Sequence, residues 1–351
     1  MKAMADSRPN EFELIARLTR DLPSRPDVDQ AVGDDCAVLD LGGNMLLLAT
    51  CDGQVEDVHF TFATASLEDI GRKALAINIS DIAAMGGEPG YALISLILPS
   101  RQSFHLEVLE GIYSGLRREA EQFGVAIAGG NVAGTGQHKN ALLIIDITLL
   151  GTVECGHALL RSGAHVGDTL CVTGSPGDSA AGLFTLLHPD LPYPIQARDS
   201  LCDIHRVPRP RVREGRILSQ FGPQIVTATI DISDGLSGDL QHICERSQVG
   251  ARVVVARLPL SSALRSIAAV ASHDPLDWAL NGGEDYELLF SVSPGCEDMV
   301  IEAVESATGT PVTAIGTLCP PEDGMKVLWP DGHEEVLVTK SWDHLKGDMP
   351  S

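Results

Sequence analysis

Apolar and polar positions along this chain recur with periods that change from segment to segment, and the changes predict its elements. Phe12, Ile15 and Leu18 of "EFELIARLTRDL" share one face of a short helix, which Pro23 and Pro26 stop. "CAVLDL" and "NMLLLATCD" read as strands joined through Gly42-Gly43, and the second is a near-continuous apolar run that places Asp52 at a strand terminus. Ser66 opens a helix through "SLEDIGRKALAINISDIAAMGG", with Asp69 three residues on as in a capping box and Gly86-Gly87 at its end. Asn78 and Asp81, at i and i+3, share one face of it.

"YALISLILP" is predicted as a buried strand, "FHLEVLEGIYSGLRREAEQFG" as an amphipathic helix, "VAIAGGN" as a strand entering a glycine turn, and "ALLIIDITLLGTV" as another strand. The pattern then restarts with a strand, "HVGDTLCVTG", and a helix, "DSAAGLFTLL". A Pro-rich basic connection, "VPRPRVREG", precedes "TATIDISDGLSGDLQHICERS", a strand running into a helix with Ser233 and Asp234 at the junction. "ARVVVARLPL" and "YELLFSVS" are further strands, and "EDMVIEAVESATG" is a last helix.

Two echoes share one offset. "INISDI" at 77–82 returns as "IDISDGL" at 230–236, and Gly129-Gly130-Asn131 returns as Gly282-Gly283-Glu284, each 153 positions on. Duplication and coincidence both account for so few matches. At 351 residues the chain exceeds what a single core usually supports. The expectation is an α/β protein of α+β type with two domains, residues 1–153 and 154–351.

Charge narrows the function. Lys plus Arg number 25 against 48 Asp plus Glu, a net charge of −23, so the surface repels nucleic acid and anionic membranes. An anionic substrate then needs metal ions or a local Arg. The eight cysteines are scattered with no C-x-x-C, as expected for reduced thiols in a cytoplasmic protein. The N-terminus is charged and amphipathic, without the apolar run of a signal peptide or membrane helix.

Acidic residues collect at turns and element ends: Asp34, Asp35, Asp52, Asp81, Asp231, Asp234 and Glu284. Singly, such residues are ordinary N-caps and turn formers. As a set beside Gly, Ser and Thr they offer the oxygen ligands that Mg²⁺ prefers. "VTGSPGDSAAG" at 172–182 is either a phosphate cradle or a turn whose glycines satisfy backbone geometry, and it lacks the Lys of a P-loop. His59 is a candidate for contacting an anionic substrate. Arg161 contacts phosphate or a surface carboxylate, and Trp342 packs in a core or stacks on an aromatic ligand. Neither G-x-S-x-G nor H-E-x-x-H occurs, which disfavours serine and zinc hydrolases.

Order and spacing of "FELIARL", "VGDDCAVL", "CDGQVEDVHF", "GRKALAINISDIAAMGG", "LLRSGAHVGDTLCVTGSPGDSAAGL", "IDISDGLSGDLQHIC", "LDWALNGGEDYELLF" and "SWDHL" resemble the thiamine-monophosphate kinase family, within the aminoimidazole-ribonucleotide-synthetase-like superfamily. The resemblance implies a homodimer whose N-terminal strands form a barrel across the two chains, with the active site in the cleft between domains. It implies transfer of the γ-phosphoryl group of ATP to thiamine monophosphate, assisted by several Mg²⁺ ions. Residues matching the family's metal ligands are Asp35, Thr50, Cys51, Asp52, Asp81, Asn131, Asp231 and Asp234. Tyr113, Gly130, Asn131, Arg161 and Ser233 match its ATP contacts, and His59, Glu284 and Trp342 its contacts to thiamine monophosphate.

A phosphate acceptor is already ionised at neutral pH, so no catalytic general base is expected. Two departures stand out: Cys51-Asp52-Gly53 where the family often has Thr-Asp-Thr, and Asn131 where Asp followed by Thr-Thr-Arg is common. The alternatives are another ATP-using enzyme of the superfamily, or a catalytically silent nucleotide-binding regulator.

Overall fold

In the computed structural model, which describes residues 11–99, 105–136 and 141–340 and Phe12 by its backbone alone, two sheets lie side by side with one helix wedged between them. The first half contains α1 (Glu11–Thr19), β1 (Val28–Gln30), β2 (Ala37–Leu39), β3 (Met45–Val55), α2 (Leu67–Ala84), β4 (Glu88–Leu98), α3 (Leu106–Phe123), β5 (Ala126–Gly134) and β6 (Ile144–Glu154). Its strands are ordered β1-β2-β3-β6-β4-β5, antiparallel except for the β4–β5 pair. Alternation along β3 and β6 turns Leu46, Leu48, Ile145, Ile147 and Leu149 inward, where each is buried against α2 and α3. Each such side chain contributes about 1.5–3 kcal/mol on burial.

The second half contains β7 (Thr169–Thr173), α4 (Asp178–Leu187), α5 (Ile195–Arg206), α6 (Val212–Phe221), β8 (Val226–Asp231), α7 (Leu236–Ser247), β9 (Gly250–Val254), α8 (Ser262–Ala271), α9 (Pro275–Asn281), β10 (Leu288–Val292), α10 (Glu297–Thr308), β11 (Val312–Cys319), β12 (Met325–Leu328) and β13 (Glu334–Val336). The strand order is β13-β12-β9-β11-β7-β10-β8. Both sheets are mixed, with antiparallel pairs predominating, as the α+β expectation required.

α2 positions the site. Ser66 caps it reciprocally with Asp69, and residues on every face are buried. A helix buried all round has neighbours on all sides: the first sheet lies on one, α3 on another, and α6 and β8 on a third. β8 is the edge of the second sheet, where the Thr229 N–H donates to the Leu160 carbonyl at 2.9 Å and α2 packs alongside. Close approach to α3 depends on paired glycines. A Cβ on Gly71 would lie 1.9 Å from the Ile112 carbonyl oxygen, and one on Gly115 would lie 1.9 Å from that of Glu68.

As read from the sequence, "INISD" lies inside a helix while "IDISD" is the end of β8 and its following turn, so the echo marks no equivalent structure. The second echo likewise compares β5 with a loop after α9. Gly129-Gly130 is not a turn, because β5 runs through it to Gly134 with a register shift opposite Ala92 and Leu93. Trp342 and the "SWDHL" segment lie outside the described residues. Among the described residues no helix is long and apolar enough to cross a membrane.

Candidate active site

A cavity of about 590 Å³ opens where the halves meet, and Asp34, Asp35, Thr50, Asp52, Asp81, Arg161, Asp231 and Ser233 help line it. Asp35 comes from the loop before β2, Asp81 from α2 and Asp231 from the last position of β8. One carboxylate oxygen from each lies within 4.8 Å of the other two. The acidic residues read from the sequence as a set therefore converge from both halves of the chain.

Hydrogen bonds fix each member. Thr50 Oγ1 donates to Asp81 Oδ2 at 2.5 Å, and Ser80 Oγ donates to Asp231 Oδ2 at 2.5 Å. Arg161 donates to Asp35 Oδ1 through Nε at 3.1 Å and through Nη2, while its backbone N–H meets both Asp34 oxygens at 3.2 Å. Asn78 spans the same wall: its Oδ1 accepts from the Asp52 N–H at 3.0 Å, and its Nδ2 donates to the Ala74 carbonyl at 3.1 Å. Asn78 is thus a strut that aims Asp52.

Burial makes this cluster electrostatically unfavourable by itself. Burial, then the charge of Asp35, pushes the Asp34 carboxyl up to about 7. Burial, then Asp35, pushes Asp231 up to about 8. Asp81 is raised well above the usual range by burial and then by Asp52 and Asp231, and Asp35 is raised by burial against the pull of Arg161. Asp35 Oδ2 is buried with no hydrogen-bond partner among the described residues.

Next to the cluster, Ser233 and Asp234 occupy the turn into α7. Asp239, a buried residue that patterning alone did not single out, accepts from the N–H groups of Asp234 and Gly235 at 3.2 and 3.1 Å and holds that turn. The Glu284 N–H donates to the Ser233 carbonyl at 2.7 Å, which brings the Gly-Gly-Glu loop to the same wall. His59 Nδ1 accepts from the Val55 N–H at 3.0 Å, which assigns the ring proton to Nε2.

Other candidates are placed elsewhere. Tyr113 sits on α3 against the first core. Gly130 and Asn131 lie on β5, the third strand over from β3, roughly 14 Å at ordinary strand spacing. Asn131 shares a row with Ser95, Asp146 and Gly53 on the face of the sheet opposite Thr50 and Asp52. Cys51 reaches the cavity wall, but its Sγ turns to that other face, 3.6 Å from Asp146 Oδ1. The glycine-rich loop at 172–182 is a turn whose amides are taken: Gly177 and Ser179 donate their N–H groups to Asp285 at 2.6 and 3.0 Å. A carboxylate of the chain itself fills the phosphate seat.

Residues 33–153 match the family described as AIR synthase related protein, N-terminal domain, and residues 165–326 match the corresponding C-terminal domain. A thiamine-monophosphate kinase of Bacillus subtilis is 36% identical over 338 residues, 96% of this chain and 100% of that protein. A solved structure of AaThiL complexed with AMPPCP and TMP superimposes with a TM-score of 0.81 at 31% identity, covering 98% of this chain and 100% of that one. The thiamine-monophosphate kinase of Stenotrophomonas maltophilia gives 0.72 at 34% identity, covering 90% and 96%. The site geometry, the paired domains and these full-length likenesses together establish that the chain belongs to the thiamine-monophosphate kinase family, built from two AIR-synthase-related domains.

Proposed function

We propose that this enzyme transfers the γ-phosphoryl group of ATP to the phosphate of thiamine monophosphate, forming thiamine diphosphate and ADP. The observation that carries the site assignment is the convergence of Asp35, Asp81 and Asp231, within 4.8 Å, beside the guanidinium of Arg161. An acceptor phosphate oxygen attacks the γ-phosphorus, the bond to the β-phosphate oxygen breaks, and no proton need be removed from the acceptor. The chain's task is alignment of two polyanions in an acidic cleft.

Oxygen-only donors, an unpartnered buried Asp35 oxygen and carboxyls forced upward by burial fit Mg²⁺. Asp35, Asp52, Asp81, Asp231 and Asp234 would hold it, with Thr50 and the Cys51 carbonyl alongside. Bound Mg²⁺ supplies charge neutralisation between carboxylate and phosphate oxygens. Arg161 and Ser233 face the ATP phosphates across the same cavity, and His59 and Glu284 receive the thiamine monophosphate. Tyr113, Gly130 and Asn131 keep their proposed nucleotide roles only with contributions beyond the cavity of one chain.

A homodimer supports such contributions. Every residue of the edge strand β5 is exposed, Val132 among them at 63% although it shares the face of Leu96, and the outer face of that sheet shows Tyr91 at 60% and Leu93 at 44% exposure. A second copy closing this half-open sheet into a barrel would cover both the apolar face and the edge. Residues 1–153 would then serve dimerisation and ATP binding, and 154–351 would complete the cleft. The eight cysteines are all free, which supports a cytoplasmic location.

Purified protein with ATP, Mg²⁺ and thiamine monophosphate should yield thiamine diphosphate on chromatography. Binding of ATP without product would instead favour a silent regulator.

A further inference from the structure

Away from the carboxylate cluster, one buried charge pair joins the two halves. Lys73 of α2 is 3% exposed, and its Nζ lies 2.7 Å from Glu284 Oε1. The other Glu284 oxygen is 3.5 Å from His205 Nδ1 of α5, and that nitrogen is 3.1 Å from Ser179 Oγ of α4. The backbone of Glu284 is left-handed, with φ 65°, a conformation that non-glycine residues adopt where the surroundings impose it. Gly283 before it leaves no room for a side chain, since a Cβ would lie 2.5 Å from the Ser233 carbonyl oxygen. Backbone and side chain are thus both pinned, while 25% of the side chain remains open to solvent.

Burial by itself pushes the Glu284 carboxyl up, yet Lys73 before any other neighbour brings it below the ordinary range. Burial, then Lys73, pushes His205 down to about 3, so its imidazole is neutral near pH 7. Lys73 is left as the formal cation in contact with the carboxylate.

We propose that Lys73 is a positioning residue for the acceptor substrate, acting through Glu284: its ammonium holds the carboxylate aimed at the cationic heterocycle, while His205, backed by Ser179, orients the second oxygen. The inference rests on the acceptor role given to Glu284 above. It assigns an N-domain helix residue to recognition of the substrate held by the C-terminal half.

Steady-state kinetics of wild type, Lys73→Met, Lys73→Arg, Glu284→Gln and the double variant test it, with thermal unfolding as a check on folding. Lys73→Met should raise the KM for thiamine monophosphate about 10-fold and leave the KM for ATP within about twofold. Its acceptor KM should fall as pH rises, because without the Lys73 ammonium burial pushes the Glu284 carboxyl up. Lys73→Arg should recover part of the loss. The double variant, which carries no unpaired buried carboxylate, should match Glu284→Gln alone and serves even where Lys73→Met does not fold. Equal rises in both KM values, a pH-independent defect, or a double variant worse than Glu284→Gln would overturn the inference. No thiamine diphosphate from wild type would overturn the kinase assignment and this inference with it.

Discussion

The hydroxyl of Ser80, near the C-terminal end of α2, donates to Asp231 at the end of β8 across 2.5 Å, so this hydrogen bond joins the two halves inside the carboxylate cluster. Ser80→Ala leaves that buried oxygen unsatisfied, at a cost of about 1–3 kcal/mol. Urea unfolding should show a lower midpoint, and the Mg²⁺ concentration for half-maximal activity should rise. An unchanged midpoint would mean that solvent replaces the hydroxyl.

Asp52 is aimed by Asn78 through its own backbone N–H. Asp52→Asn keeps the shape of the side chain and removes one negative charge, so turnover should fall at least ~100-fold with folding intact. Excess Mg²⁺ should not restore it. Near-normal activity would remove Asp52 from the metal set.

The cluster also predicts how stability follows pH. Folding raises Asp34 to about 7 and Asp231 to about 8, whereas an unfolded Asp titrates near ~3.9. The folded chain binds protons that the unfolded chain has released, so this stabilisation is complete below about pH 4 and is lost as pH rises through 7 and 8. Metal-free protein should therefore melt at a lower temperature at pH 8.5 than at 5.5, roughly several degrees. Added Mg²⁺ should raise Tm more at the higher pH; a flat metal-free profile in calorimetry would contradict the buried cluster.

Gly71 and Gly115 set the spacing of α2 and α3, and α2 carries Lys73, Asn78, Ser80 and Asp81. Gly71→Ala places a methyl group inside the Ile112 carbonyl contact, an overpacking of about 1–3 kcal/mol or more. Denaturant titration should show the loss, and kcat should fall because the helix shifts as a unit.

For the open sheet, Val132→Lys adds a charge at an exposed apolar position on β5. Light scattering after size-exclusion chromatography should show dimers in wild type and monomers in the variant. Monomeric wild type would remove the barrel.

Asp35, Asp81 and Asp231 were legible as candidates because carboxylates beside Gly and Ser, at loop and strand ends or on one helix face, are chemically distinctive. Asn78 was legible only as a face-mate of Asp81, and Ser80, Asp239 and Lys73 were not legible, although Ser80 stands inside the echo. Their letters are ordinary in a helix, and only the packing of α2 against β8 gives them partners. The glycine-rich loop misled for the converse reason: its amides suit any anion, and Asp285, 108 positions from Gly177, was the one that arrived.

By itself the sequence determined many of the helices and strands, though not α5, α8, α9 or β11–β13, together with the α+β character, the negative charge and the oxygen-rich chemistry, because these depend on local period and residue type. Tertiary structure alone decided that Asp81 pairs with Asp231 rather than with its counterpart in the echo, that Asn131 and the Cys51 thiol face the other side of the sheet, and that Lys73 belongs to Glu284. Such choices depend on which distant elements share a wall. One shift of strand register or helix face reverses them without altering any local pattern.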